Sequence, residues 1–236
     1  MTGLLFCLPL QSPWLQADDS SLNDGLKHLD KDKSPLVFVG DEDCGKTVFL
    51  FQAAIAFASK DYHVTCISRC PLTRMPLSIH GMTRPESAGQ LKTLTFMYMN
   101  KVSDLIDYYA KLHTKSLLPD VIIIDDFDYY IDQMQEPTPE AGCAKLCAII
   151  QDTANFIQSK SCVGCVMLGC RNRQKYVPQI LRQYKYSLSN ITASNPADKI
   201  YDLCYKGRQL TLNVNYQIKS SGLFIKDVSM TSRKTS

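Results

Sequence analysis

The chain has 236 residues, enough for one large core with a small appendage. Apolar residues make up 45% and charged residues 21%, which excludes a low-complexity chain and fits an ordinary globular protein. The net charge of +3 conceals a division: residues 1–159 carry 13 Lys and Arg against 20 Asp and Glu, and residues 160–236 carry 13 against 3. That division points to an anionic partner for the C-terminal part, nucleic acid first. The alternative is a basic face that evens out against the acidic half on folding.

Residues 1–33 read as a weakly structured lead-in, polar and acidic from Gln16 to Asp32, with Trp14 a candidate docking side chain. Met1 to Leu10 is apolar but lacks a basic start and is interrupted by Pro9, so it does not read as a secretory signal. No window reaches the length of a membrane span. The 10 cysteines are therefore expected to be reduced thiols of a cytosolic or nuclear protein. Cys162-x-x-Cys165 with Cys170, and the pairs Cys66/Cys70 and Cys143/Cys147, have spacings that invite zinc. They lie inside apolar runs, however, and are expected to be buried core residues.

Leu36 to Val39 reads as a buried strand, followed directly by Gly40-Asp41-Glu42-Asp43-Cys44-Gly45-Lys46-Thr47. This is the pattern G-x-x-x-x-G-K-[ST], placed between a strand and a helical periodicity running from Thr47 to about Ser59. Such a loop wraps a polyphosphate in backbone N–H groups at a helix N-terminus, with the lysine on the outer phosphates and the hydroxyl on Mg²⁺. Gly40 to Thr47 are accordingly the candidate nucleotide-binding residues, with Lys46 catalytic and Thr47 a metal ligand. Asp41, Glu42 and Asp43 share the sign of a phosphate chain and are compatible with it only if their side chains face solvent.

His63 to Ser68 reads as a second strand. Arg69 to Gln90, with its prolines and lack of period, reads as a long functional loop. Leu91 to Met99 looks extended, and Lys101 to His113 helical. Val121 to Asp125 is an apolar run of the kind found in a parallel sheet buried on both faces. It ends in Asp125, which would hold Mg²⁺ at the sheet's C-terminal rim. Asp126 is the candidate residue for activating water, with Asp128 competing for that role.

A long helix is expected over Glu140 to about Ser159, a strand over Val163 to Gly169, and a shorter basic helix over Arg173 to Tyr184. Arg171 and Asn172 would sense the outermost phosphate or begin a basic surface that continues through Arg173, Lys175, Arg182 and Lys185. Interleaved tyrosines (Tyr176, Tyr184, Tyr186) suit either base stacking on single-stranded nucleic acid or a buried helix edge. Leu203 to Lys206, Gln209 to Ile218 and Leu223 to Val228 alternate like antiparallel strands. The fold expected is α/β: a mostly parallel sheet between helices, ending in a C-terminal antiparallel strand meander.

These motifs in this order resemble the ATPase core of RecA-type recombinases, a P-loop NTPase fold. Cys66-Ile67-Ser68-Arg69-Cys70-Pro71-Leu72-Thr73-Arg74-Met75-Pro76 and Leu91-Lys92-Thr93-Leu94-Thr95-Phe96-Met97-Tyr98 are more narrowly similar to the SWIM-type zinc finger-associated proteins. That family is the ATPase branch of the animal Shu complex, and the likeness covers roughly residues 36–228. It implies a RecA-like domain over 34–228 and a flexible tail over 229–236. It also implies a nuclear protein that binds ATP, Mg²⁺ and single-stranded DNA. The partners would be a SWIM-type zinc-finger protein and the main RecA-type recombinase, the setting homologous recombination repair. Against the family pattern, the water-activating glutamate at the end of the second strand falls near Arg69-Cys70. The glutamine that couples phosphate state to DNA falls near Arg171. The resemblance therefore implies weak, DNA-stimulated ATP turnover, or a non-catalytic nucleotide-binding scaffold for the partner. A small-molecule kinase, with the loop from Arg69 as lid, is the remaining alternative.

Overall fold

The computed structural model describes residues 3–10, 33–82, 88–161, 163–207 and 210–232. Nine strands form one sheet in the order β3-β2-β4-β5-β1-β6-β7-β8-β9. β1 (Leu36–Gly40), β2 (Val64–Ser68), β3 (Leu94–Tyr98), β4 (Val121–Ile124), β5 (Cys165–Arg171) and β6 (Ser187–Asn195) run parallel. β7 (Ile200–Lys206), β8 (Leu210–Lys219) and β9 (Gly222–Ser232) extend it as an antiparallel meander from β6. The α/β class and the antiparallel C-terminal edge agree with the expectation.

The near-continuous apolar runs follow from burial on both faces. Successive side chains of a strand point to opposite faces, so Leu36 and Phe38 enter one core while Val37 and Val39 enter the other. Val121 and Ile123 divide from Ile122 and Ile124 in the same way. The first core is covered by α1 (Leu4–Cys7) and α2 (Lys46–Ala58). The second is covered by α3 (Val102–Ala110), α4 (Phe127–Ile131), α5 (Pro139–Lys160) and α6 (Val177–Gln183). In α5 the Thr138 side chain accepts a hydrogen bond from the Ala141 amide and Pro139 opens the first turn, a capped start for a 22-residue helix.

Five parts of the chain differ from expectation. The lead-in is not uniformly loose: Leu4, Phe6, Cys7, Leu8 and Leu10 are buried, and Phe6 stacks on Phe57 of α2 with ring centroids 3.8 Å apart. Trp14 and the acidic stretch lie outside the described residues. β6, which joins the parallel and antiparallel halves, is absent from the sequence reading because Ser187, Ser189, Asn190 and Thr192 give it no apolar pattern. α4 is only 5 residues long, too short to show a period. The helix expected from Arg173 is confined to Val177–Gln183. In the long loop, Ile79 is buried and bridges Leu223 of β9, and a 3₁₀ turn spans Ala88–Leu91.

Cys66, Cys143, Cys147, Cys165 and Cys170 are buried, in line with the core reading, whereas Cys70 is exposed. Burial pushes the Cys66 thiol up to about 12. Among the described residues no helix is long and apolar enough to cross a membrane, and no group of three or more His, Cys, Asp or Glu is placed to hold a metal.

Candidate nucleotide site

β1 delivers the phosphate loop to the C-terminal rim of the sheet, between β5 on one side and β6 on the other. Its first glycine is dictated by crowding. A Cβ on Gly40 would stand 2.7 Å from Cys44 Sγ and 2.9 Å from Ile191 Cβ of β6. Gly45 lies in the left-handed region at φ 95°, a conformation that L side chains rarely adopt. It opens α2 with no side-chain cap, so the first-turn amides of this 13-residue helix are left to an anion.

The root of the loop is packed and hydrogen-bonded. Lys46 is nearly buried, and its Nζ donates to the Gly40 carbonyl at 2.8 Å, to the Asp41 carbonyl, and to Cys44 Sγ at 3.6 Å. The Thr47 hydroxyl donates to Asp125 Oδ2 at 2.7 Å, which brings the two expected Mg²⁺ residues together from 78 residues apart. Asp125 Oδ1 also accepts from the Asp126 amide at 3.0 Å. Burial raises the Asp125 carboxyl above the usual carboxylate range, and the Thr47 hydrogen bond opposes this. From the far side of the sheet's curl, the fully buried Tyr216 of β8 donates its hydroxyl to the Cys44 carbonyl. Tyr216 packs edge-on against Phe49 of α2 and stacks on Tyr201. The meander thus braces the loop, a role the sequence reading did not give it.

The tip of the loop differs. Asp41, Glu42 and Asp43 are all exposed, so the condition for tolerating three acids is met. Glu42 does not simply face water: it pairs with Arg171 Nη1 and lies 3.3 Å from Arg173 Nη2. Arg171 also reaches Asp126 at 3.8 Å and Asp128 at 3.7 Å, and its backbone amide donates to Asp128 Oδ1 at 3.0 Å. Asp126 in turn holds Arg69 Nε at 2.9 Å, and the Arg69 guanidinium lies over the Tyr129 ring. An alternating chain, Arg69–Asp126–Arg171–Glu42–Arg173, therefore runs across the rim beside the loop.

The other candidate residues sit in or beside this rim. Asp126, expected to activate water, has its two oxygens facing two guanidinium groups and stands as a strut of the rim. Arg171 faces three carboxylates and is mostly covered. The Tyr176 ring packs on the second core with a buried hydroxyl that makes no hydrogen bond, and burial pushes its phenol up to about 12. Tyr186 is buried, donating to the Cys147 carbonyl at 2.9 Å, while Tyr176 and Tyr184, at the two ends of α6, are partly buried against the second core. Lys175, Arg182 and Lys185 are exposed, as expected of a basic surface.

Arg69 follows the end of β2 and Arg171 closes β5, near the places where the resemblance implies a glutamate and a glutamine. Topology and charge together would have found the Glu42–Arg171 pair. The β1–β5 register places Gly40 opposite Arg171, two residues from an acid.

No protein-family description matches the sequence, and no curated protein matches it. Among solved structures, the chain is similar to the flagellar accessory protein FlaH of Methanocaldococcus jannaschii, with a TM-score of 0.51 and 14% identity over 83% of this chain and 90% of that one. A DnaB-like replicative helicase, described with its interactions with primase, aligns with a TM-score of 0.48 and 11% identity over 85% of this chain and 54% of that one. The mostly parallel sheet with its antiparallel C-terminal strands is the RecA-like fold of FlaH.

Proposed function

We propose that this chain is a nucleotide-holding RecA-like module that binds ATP with Mg²⁺ and turns it over slowly. The observation that carries the reading is the Thr47–Asp125 hydrogen bond beside Lys46, at the mouth of an uncapped helix. These residues fit the group: the α2 amides and Lys46 would take the phosphates, and Thr47 and Asp125 the metal. Bound Mg²⁺ would supply charge neutralisation between the outer phosphates. Asp126, the candidate for orienting water, is paired with Arg69 and Arg171, and Arg69 stands just past the end of β2. ATP would serve to hold the loop, α2 and the meander in one arrangement.

The resemblance to the Shu-complex ATPases supports a finer reading: a nuclear protein working with a SWIM-type zinc-finger partner and the main recombinase on single-stranded DNA. Within this reading the DNA contact rests on the exposed Lys175, Arg182 and Lys185 with Arg173, a backbone-neutralising patch and not a base reader. Anisotropy of a labelled single-stranded oligonucleotide tests it. Binding should weaken with salt, and a Lys175→Glu/Arg182→Glu/Lys185→Glu variant should flatten the salt slope by about 2. A slope unchanged in that variant removes the patch from the account.

The scaffold alternative is favoured by the same paired Asp126 and by Arg69. Comparing retention of the zinc-finger partner and phosphate release in Lys46→Ala separates the two. A variant that releases no phosphate yet keeps its partner and supports repair is a scaffold.

A further inference from the structure

We infer that Glu42 is a tethered stand-in for the outermost phosphate of a nucleoside triphosphate, and that with Arg171 it sets the preference for triphosphate over diphosphate. The inference deepens the nucleotide-holding reading above and rests on it. Glu42 lies on the phosphate loop itself, between the two glycines that frame it, yet its carboxylate is taken up by a side chain 129 positions away. Parallel pairing of β1 with β5 makes this possible, because Gly40 and Arg171 are register partners. Arg171 is fixed at its base by the hydrogen bond from its backbone N–H to Asp128 Oδ1, while its guanidinium lies between the loop acid and the β4–α4 acids. Of these contacts the one to Glu42 is the closest.

A guanidinium fork matches a carboxylate and a phosphate with the same geometry. Glu42 is well exposed (64%) and can swing away without a packing cost, whereas Arg171 is mostly covered (18%) and stays at the rim. A triphosphate extending past Lys46 toward β5 brings phosphate oxygens that compete with Glu42 for Arg171 and Arg173. A diphosphate, one phosphoryl group shorter, leaves the Glu42 pair in place. Asp41 and Asp43 are the internal controls. They sit on either side of Glu42 and are equally exposed, but no ion pair of their side chains is found among the described residues.

The test is equilibrium titration of the full chain with fluorescent N-methylanthraniloyl ATP and ADP in Mg²⁺, for wild type, Glu42→Gln, Asp43→Asn, Arg171→Ala and Glu42→Gln/Arg171→Ala. Removing the competitor should tighten triphosphate about 3- to 5-fold, the upper part of the range of an exposed charge pair, with diphosphate changed less than about 2-fold. Arg171→Ala should weaken triphosphate selectively, and Glu42→Gln should then add little. Equal tightening of both nucleotides, the same gain from Asp43→Asn, or a Glu42→Gln gain that survives in Arg171→Ala would reduce Glu42 to one of three repelling acids. Any of those results overturns this inference alone. If no variant binds either nucleotide, the inference and the proposed function fall together.

Discussion

The root and the tip of the phosphate loop are eight residues of one motif built by different physics. At the root, Lys46, Thr47, Asp125, Cys44 and Tyr216 are joined by short hydrogen bonds among mostly buried groups, where geometry is strictly held and a lost partner is costly. At the tip, Asp41, Glu42 and Asp43 stand in solvent, and the pairs that organise Glu42 are partly screened charges. The root keeps what nucleotide holding needs. The strand ends beside the tip lead into Arg69 and Arg171, both of which pair with Asp126.

Root substitutions should sharpen this contrast most. Lys46→Ala should lower ATP affinity roughly 10- to 100-fold, the value of one or two charge-assisted hydrogen bonds, as read by calorimetry. Asp125→Asn comes next, and its signature is a pH dependence. The folded-state carboxyl is raised above its unfolded value, so the stability tied to this group is full below the ordinary carboxylate range and is lost as pH rises through the raised value. Mg²⁺ with nucleotide requires the ionised form. Its gain in Tm should therefore be full at neutral pH and fade on acidification through that window. Asp125→Asn should abolish the Mg²⁺ response and leave the metal-free protein at least as stable as wild type at neutral pH. A Mg²⁺ response that persists in this variant would detach Asp125 from the metal.

Smaller effects test the bracing and the rim. Tyr216→Phe leaves the Cys44 carbonyl without its donor in a buried setting and should cost about 1–2 kcal/mol in chemical denaturation, with ATP affinity falling along with it. Tyr176→Phe should change stability by less than about 0.5 kcal/mol and leave oligonucleotide binding untouched, because the hydroxyl makes no hydrogen bond and the ring is packed inward. Weakened DNA binding in that variant would assign Tyr176 a stacking role.

Much of the root was legible in the sequence because its signals are local. A strand, a glycine-framed loop and a helix succeed one another within about twenty residues, and Val121 to Asp125 announces its own burial. The order of layers followed from the same periodicities. What escaped is of two kinds. β6 and α1 lack a readable pattern, one because its residues are polar, the other because four residues show no period. The rim and the Tyr216 brace depend on pairs 129 and 172 positions apart, whose meeting is decided by strand order. The partners of Tyr176 and Arg171 were hidden for the same reason. Charge and aromaticity are visible in a sequence, but their partners are not.

The central claim, a site that holds ATP far better than it cleaves it, is tested most directly by measuring Mg²⁺·ATP binding and phosphate release on the same preparation beside Lys46→Ala. The account predicts saturable, Mg²⁺-dependent binding that the substitution weakens roughly 10- to 100-fold, with turnover at least about a thousandfold below the ~10 s⁻¹ of a typical enzyme. Binding indifferent to Lys46, or turnover near the typical rate, would contradict it.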